Sequence, residues 1–366
     1  MTIRSISFPR LTKEYVDEKE SLSRGTYEND AQASQITTLL PDTMRALRMV
    51  KESASGEDTK DRFSLQLVEA RLPTVTPGTV LVQVHATAIN PSDAANANGF
   101  FSYTIFPRIP GRDFAGTVVV GPSYLQGQRV FGTSGKELSF SLDGCHAEYC
   151  LVPEDGVVII PAGMSFAQAA TIGVPFTTAW LTLERSHTKA SDTVLVIGAY
   201  GAVGSAVCQL AREKGCRVIT AARRDTADIN LLVDPELKGV RAMTGGGPTV
   251  VVDTVGDPDL MRRAMDILPT RGRLSYISAP KTFEVEFSFN MKGFYRAEKE
   301  IIGCNSLSYS IQEMGEILGE LRRAFARGVC QTIEESKIIG VKLTEDALVA
   351  YQMVRGGKSQ KYVICP

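Results

Sequence analysis

Val194-Leu195-Val196-Ile197-Gly198-Ala199-Tyr200-Gly201-Ala202-Val203-Gly204 is the stretch whose reading decides the fold of this chain. Four consecutive aliphatic residues describe a strand buried on both faces, and the spaced glycines after them mark a turn into a helix. Each glycine has a separate task. Gly198 permits the tight turn off the strand, Gly201 lets backbone approach a pyrophosphate, and Gly204 lets the helix pack closely on the strand. Together with Tyr200, Ala202 and Val203 they form the rim of a phosphate site, where a helix N-terminus offers unpaired N–H groups and partial positive charge. The spacing is G-x-x-G-x-x-G rather than the commoner G-x-G-x-x-G, so the strand before it and the helix after it carry the assignment.

The second strand of this unit, Val218-Ile219-Thr220-Ala221, selects the nucleotide. An acid at its end would hold a ribose 2′-hydroxyl, as NAD enzymes require. Ala222 stands at that position instead, followed by Arg223 and Arg224. Guanidinium groups clamp a 2′-phosphate that a carboxylate would repel, so the expected cofactor is NADPH.

Outward from this unit, residues 174–310 alternate short apolar strands (194–197, 218–221, 250–253 and 273–277) with helical stretches. That rhythm predicts an α/β, doubly wound parallel sheet covered on both faces. Residues 44–173 instead show short alternating runs broken by Gly and Pro, the pattern of a β-rich domain. A helix at 311–327, a strand at 341–343, a helix from Thr344 and a strand at 361–365 follow. Residues 1–43 are polar, mixed in charge and without periodicity, and read as an extension.

With 366 residues, 43% hydrophobic and 22% charged, the chain is long enough for two domains with sizeable cores. A formal net charge of −1 gives no reason to expect nucleic acid or an anionic membrane as partner. The uncharged run 193–211 is interrupted by the three glycines, so no membrane span is expected. Seven scattered cysteines suit a reducing, cytoplasmic setting. Arg4, Arg10 and Lys13 faintly suggest a transit peptide, against which stand Pro9 and the acids Glu14, Asp17, Glu18 and Glu20.

Ala88-Ile89-Asn90-Pro91-Ser92-Asp93 and Pro110-Gly111-Arg112-Asp113-Phe114-Ala115-Gly116 are followed in order by Gly127-Gln128-Arg129-Val130-Phe131-Gly132 and by residues 144–149, 175–180 and 253–256. Gly272-Arg273-Leu274 and Gly357-Lys358 complete the series. From residue 44 to 366 this succession resembles the quinone oxidoreductase and enoyl reductase branch of the medium-chain dehydrogenase/reductase superfamily. The resemblance implies a GroES-like β-rich catalytic domain, residues 44–173 completed by 311–366. A Rossmann domain, 174–310, is inserted in it, with the active site in the cleft between the two. It further implies that Asn90 lies near the nicotinamide and its ribose, with Thr177 and Thr178 at a helix start beside the cofactor. Thr254, Val255, Gly256, Ile277 and Ser278 would also line the cofactor, and Asn305 would close over the nicotinamide side.

Zinc alcohol dehydrogenases of the same superfamily use a Cys within the segment 90–93 and a His where this chain has Arg112, so no catalytic metal is expected. The four closely spaced cysteines of a structural zinc lobe are missing too. Cys145 and His146, with Cys150, are read as lying on an alternating strand with opposite facings, too few convergent ligands for a metal. His85 and His187 are read as structural. Without a Lewis acid, the expected chemistry is hydride delivery to a conjugated carbonyl (enone, enal or enoyl thioester) or a quinone.

Phe101 stands where many relatives place a proton-donating tyrosine; Tyr103 is the candidate substitute, and Asp93 the other nearby titratable group, with loop capping as its competing role. Phe100, Phe101, Tyr103 and Phe106 either line an apolar substrate end or pack beneath their loop. The connection 225–249 is shorter than in relatives, with room for barely one helical turn at 225–230. The strictly alternating stretch 283–289 falls where relatives pair Rossmann sheets edge to edge, which suggests a homodimer. Two other functions remain open. One is an enoyl reductase acting on carrier-bound acyl chains; the other is an NADPH-binding sensor or structural protein with little catalysis.

Overall fold

The computed structural model describes residues 40–52, 61–279, 286, 288–357 and 360–366. The polar extension therefore lies almost wholly outside the described residues, as does most of the alternating stretch 283–289.

The chain opens with a hairpin of β1 (Thr43–Glu52) and β2 (Arg62–Arg71), antiparallel from Thr43 opposite Arg71 to Glu52 opposite Arg62. Then come β3 (Thr79–Ala88), helix α1 (Pro91–Asn96), β4 (Asp113–Val120), β5 (Arg129–Gly132), β6 (Tyr149–Pro153) and β7 (Val158–Ile159). Helices α2 (Phe166–Ala169) and α3 (Gly173–Arg185) lead into β8 (Thr193–Ile197), α4 (Ala202–Glu213), β9 (Arg217–Ala222) and β10 (Ile229–Asn230). The series continues with α5 (Lys238–Thr244), β11 (Val250–Asp253), α6 (Pro258–Asp266), β12 (Arg273–Tyr276), α7 (Met291–Arg296) and β13 (Glu300–Gly303). It ends with α8 (Ile311–Ala326), β14 (Ile338–Lys342), α9 (Glu345–Arg355) and β15 (Lys361–Cys365).

Strands β8 to β13 form one parallel sheet in the order β10-β9-β8-β11-β12-β13, the 3-2-1-4-5-6 arrangement of a doubly wound dinucleotide fold. Its continuous aliphatic strands are explained by which core each side chain enters. Val194, Val196, Val250 and Val252 pack with Ala206, Val207, Leu210 and Ile317 on one face, while Leu195, Ile197 and Val251 pack with Leu260, Met261 and Leu274 on the other. Both faces are dry, so no polar alternation survives.

The second sheet has the order β14-β15-β3-β4-β5-β7, with β6 also on β3. Its last two strands come from the C-terminal end, so β15 lies antiparallel to β3 with Val363 opposite Ala88. Helix starts follow local capping chemistry. The Ser310 hydroxyl accepts from Glu313 N at 3.2 Å while the Glu313 carboxylate accepts from Ser310 N at 2.7 Å, and Thr344 caps α9. Between β9 and β10 there are only turns, not the single helical turn expected, because Asp225 and Asp228 spend their carboxylates inside the loop, on Asn230 and Thr220.

Candidate functional site

The carboxyl ends of β8 and β11, adjacent strands whose helices depart to opposite faces, form the topological switch point at which doubly wound sheets take ligands. Three glycines meet three different requirements there. Gly198 has φ +79°, and a Cβ on it would collide with Thr254 Oγ1. A Cβ on Gly204 would press into the backbone of Gly198, with the carbonyl carbon at 2.8 Å. Gly201, by contrast, has an ordinary φ of −72° and its Cβ would meet only Gly198 O at 3.3 Å. Neither backbone strain nor core packing demands glycine at 201. What its hydrogen leaves open is the space over the N-terminus of α4, which fits a pyrophosphate.

The far rim is held by Asp253, whose buried carboxylate accepts from Val255 N at 2.8 Å and Gly256 N at 3.2 Å. Burial raises its pKa, and those two N–H groups oppose the rise. Thr254 donates its hydroxyl to Ile197 O at 2.8 Å. Gly256, at φ +75°, turns the chain against Ser278, where a Cβ would lie 2.6 Å from backbone, and Ile277 N donates to Asp253 O at 3.2 Å. The structure thus brings Thr254, Val255, Gly256, Ile277 and Ser278 to the same rim as Gly198.

Beyond β9, Ala222 occupies the acid position, and Arg223 and Arg224 are exposed, without a carboxylate partner among the described residues. Arg224 Cζ stands 4.6 Å from the centroid of the Tyr200 ring, whose hydroxyl donates to Thr226 O at 2.6 Å. Tyr200 therefore serves as an aromatic platform that orders one guanidinium.

The β-rich part of the chain holds a buried ionic cluster that the sequence did not reveal as a unit. Asn90, the N-cap of α1, is 3% exposed. Its Nδ2 donates to Asp113 Oδ2 at 2.9 Å, its Oδ1 accepts from Lys361 Nζ at 2.8 Å, and its backbone N–H donates to Asp93 Oδ2 at 2.8 Å. Asp113 Oδ1 accepts from Thr133 Oγ1 at 2.6 Å and from Val174 N at 2.9 Å, which ties β4 to the start of α3. Arg112, 2% exposed, donates to Ser92 and has its Nε 3.7 Å from Asp93 Oδ1. Burial raises the pKa of both carboxyls and lowers that of Lys361, and the opposite charges within the cluster work against each shift. Asp93 thus has the capping role weighed against a catalytic one.

Several expectations need correction in detail. Thr177 and Thr178, expected at a helix start, lie in the second turn of α3: both are buried, and Thr177 donates back to Gly173 O at 2.9 Å. Cys145 and His146 do not lie on an alternating strand. Both are fully buried in a turn, with His146 Nδ1 2.7 Å from Tyr351 Oη and Nε2 3.3 Å from Ala88 O. Gly111 makes room for that ring, since a Cβ there would lie 2.7 Å from its Cγ. Asn305, at the head of a short 3-10 turn, is exposed and accepts from Leu307 N at 3.1 Å. His85 bonds Thr117 Oγ1 at 3.0 Å, a structural contact.

The donor set does not fit zinc. Arg112 stands where the resemblance would set a His and no Cys lies in the segment 90–93, both His146 nitrogens are engaged, and among the described residues no three His, Cys, Asp or Glu converge.

The aromatic loop is divided between the two expected roles. Phe106 packs inward on Phe63 with ring centroids 5.4 Å apart, whereas Phe100 and Tyr103 are exposed at 71% and 51%. Phe101 and Tyr103 rest on buried Phe140, each 5.4 Å away. Partial burial raises the Tyr103 pKa, with the Arg112 guanidinium opposing.

The zinc-binding dehydrogenase family model matches residues 202–321, and that of the alcohol dehydrogenase GroES-like domain matches residues 76–162. A zinc-type alcohol dehydrogenase-like protein of Schizosaccharomyces pombe is 50% identical over 88% of this chain and 97% of its own length. Human quinone oxidoreductase is 28% identical over 68% of this chain and 78% of its own. Among solved structures, a short chain alcohol dehydrogenase from Escherichia coli CFT073, complexed with NADH, superposes with a TM-score of 0.71 at 20% identity, covering 89% of this chain and 100% of that one.

Proposed function

The chain belongs to the medium-chain dehydrogenase/reductase superfamily, in its quinone oxidoreductase branch, and from that premise we propose that it is an NADPH-dependent, zinc-independent reductase of conjugated carbonyls or quinones. The observation that carries this is the cofactor end of the site. An open glycine rim crowns the N-terminus of α4, and two arginines rather than an acid follow β9. When bound, NADPH supplies the hydride.

The N–H groups of α4 receive the pyrophosphate, and Arg223 and Arg224 receive the 2′-phosphate, Arg224 being already seated on Tyr200. Thr254, Val255, Gly256, Ile277 and Ser278 shape the rim, with Asn90 and the start of α3 across from it. Without a metal to polarise an alcohol, the acceptor must carry its own conjugation, and Phe100, Phe101 and Tyr103 favour an apolar or aromatic one. Tyr103, whose phenol carries its proton at neutral pH, is the proton donor of this scheme. Residues 44–173 with 311–366 act as the catalytic domain and 174–310 as the nucleotide domain.

One observation favours a second reading, a nucleotide-binding protein with little catalysis: the Asn90 side chain is already committed to Lys361 and Asp113. Purified protein mixed with NADPH or NADH and a panel of quinones, aromatic enones, medium-chain enals and an enoyl thioester separates the two. Turnover with NADPH preference supports the reductase. Saturable NADPH binding without turnover of any acceptor supports the binder, and equal affinity for both nucleotides refutes the assignment of Arg223 and Arg224.

A further inference from the structure

We infer that Lys361, acting with Asp113, is a positioning residue that holds the Asn90 carboxamide in one orientation at the cleft. The inference rests on the reductase reading above and adds a residue that no motif of the sequence singles out.

The juxtaposition is built by the sheet. Val363 pairs with Ala88 and Ile364 with Thr87, and Ile89 N donates to Tyr362 O at 3.0 Å. Continuing that antiparallel register by two residues sets Lys361 opposite Asn90, where its Nζ reaches Oδ1 at 2.8 Å. The final strand of the chain thus supplies the partner for a loop 271 residues earlier.

The chemistry of the partners leaves the amide one choice. An ammonium only donates and a carboxylate only accepts, so Oδ1 must face Lys361 and Nδ2 must face Asp113. A flip by half a turn would oppose donor to donor and acceptor to acceptor at once. Asp113 is itself immobilised by Thr133 and by Val174 N, so the same carboxylate fixes Asn90 and the start of α3, which carries Thr177 and Thr178. Two cations, Lys361 and Arg112, balance two carboxylates, Asp93 and Asp113, within one buried cluster. What remains is a single uncommitted N–H on Asn90 Nδ2, made more acidic by the ammonium on the amide oxygen.

A cluster that merely glued strands together would not need this polarity, and pH distinguishes the two cases. Burial lowers the Lys361 pKa while Asp113 and Asp93 oppose, with Arg112 and His146 the other charged or titratable groups that act with it. Above that pKa the neutral amine accepts as well as donates, so only the Asp113 carboxylate still opposes a flip. The lock is therefore weakened as pH rises through the lowered Lys361 pKa.

The test uses the full chain, with Lys361→Arg and Lys361→Met compared against wild type. The readouts are the NADPH dissociation constant from nucleotide fluorescence, kcat and KM for the best acceptor, and the alkaline limb of the kcat profile. Lys361→Arg, which keeps a cation that does not deprotonate, should retain kcat within about threefold and move the alkaline limb upward. Lys361→Met should lose roughly 100-fold in kcat with the acceptor KM little changed, the scale of a misplaced positioning group. Its NADPH dissociation constant should rise about tenfold or more, one lost charge-assisted bond.

An unchanged alkaline limb in Lys361→Arg overturns the proposal, and so does wild-type kcat in folded Lys361→Met. Should Lys361→Met not accumulate as folded protein, the limb in Lys361→Arg decides alone. If wild type turns over no acceptor, the reductase reading has failed. The positioning role is then judged by nucleotide affinity, and unchanged affinity in Lys361→Met refutes it separately.

Discussion

Replacing Gly201 with alanine tests whether the glycine rim exists for a ligand or for the fold. At φ −72° alanine meets no backbone penalty, and its methyl has one close neighbour, Gly198 O at 3.3 Å. Alanine is a poorer N-cap than glycine by about 0.5–1 kcal/mol, which a stiffer unfolded chain offsets by about 0.4–1 kcal/mol. The nucleotide-free protein should therefore melt within a degree or two of wild type. The methyl nevertheless fills the space above the N-terminus of α4 and separates a pyrophosphate from the backbone N–H groups. Losing one hydrogen bond to a charged group, about 1.5–3 kcal/mol, weakens NADPH binding roughly 10- to 150-fold.

Gly204→Ala is the control, because its methyl would sit 2.8 Å from the Gly198 carbonyl carbon and 3.0 Å from Ala199 Cα. Forcing β8 and α4 apart should cost about 1–3 kcal/mol and several degrees of melting temperature without any nucleotide present. Calorimetry of the nucleotide-free variants and fluorescence titration with NADPH measure the two effects. Wild-type affinity in Gly201→Ala, or a loss of stability matching that of Gly204→Ala, would refute the reasoning.

Three further outcomes follow from the same geometry. Arg224→Ala should weaken NADPH binding by about tenfold or more while leaving NADH affinity unchanged, and Ala222→Asp should favour NADH, both read by titration. Burial holds the His146 pKa down to about 4, so the unfolded chain binds the extra proton first as pH falls from 6.5. Stability contributed by the neutral ring, on the order of 3 kcal/mol, is present above pH 6.5 and is lost as pH falls toward 4. Melting curves of His146→Gln should accordingly show a flatter acid slope than wild type. Arg112→Met should destabilise the protein by about 3–5 kcal/mol in urea unfolding, since it leaves buried Asp93 without its cation, and adding Asp93→Asn should recover part of that loss.

How far the sequence could be read depended on whether each constraint was local. Val194 to Gly204 announces its strand, turn and helix because the glycines that permit the turn are neighbours of the aliphatic run that needs it. The doubly wound parallel sheet was legible from three further apolar strands, 218–221, 250–253 and 273–277, whereas the order 3-2-1-4-5-6 came only with the structure. Thr177 and Thr178 were legible as lying near a helix start but not as buried, because motif matching carries no helical phase and α3 begins at Gly173. The Asn90 cluster was legible only in pieces. Asn90, Asp93, Arg112 and Asp113 stood out as family positions, but their closure by Lys361 depends on a strand pairing across 271 residues. A lysine at the first position of a final strand gives no local sign of enclosure, and only register places it opposite Asn90. The same holds for Tyr200, read as part of the glycine rim but serving also as the platform for Arg224 across the loop.

The cluster also bears on why this chain would do its chemistry without a metal. Two buried carboxylates side by side, Asp93 and Asp113, demand positive charge, since unpaired they would be protonated or force the fold apart. A divalent ion bound near them would meet that demand. Here a guanidinium and an ammonium meet it from within the chain, Arg112 beside Asp93 and Lys361 linked to Asp113 through Asn90. A metal added to this arrangement would face two fixed cations, and among the described residues no three His, Cys, Asp or Glu converge to hold it. The same substitution has a catalytic cost and a compensation. The guanidinium is enclosed, with Nε and Nη1 buried, so it offers no Lewis-acid face to an alcohol. On the function proposed above, the acceptor would bring its own polarisation, as a conjugated carbonyl or a quinone does, and the protein's remaining task would be to hold donors such as Asn90 still. An enzyme built this way should tolerate chelators without loss of activity but respond sharply to Lys361→Met, whereas a metal-dependent relative would show the reverse.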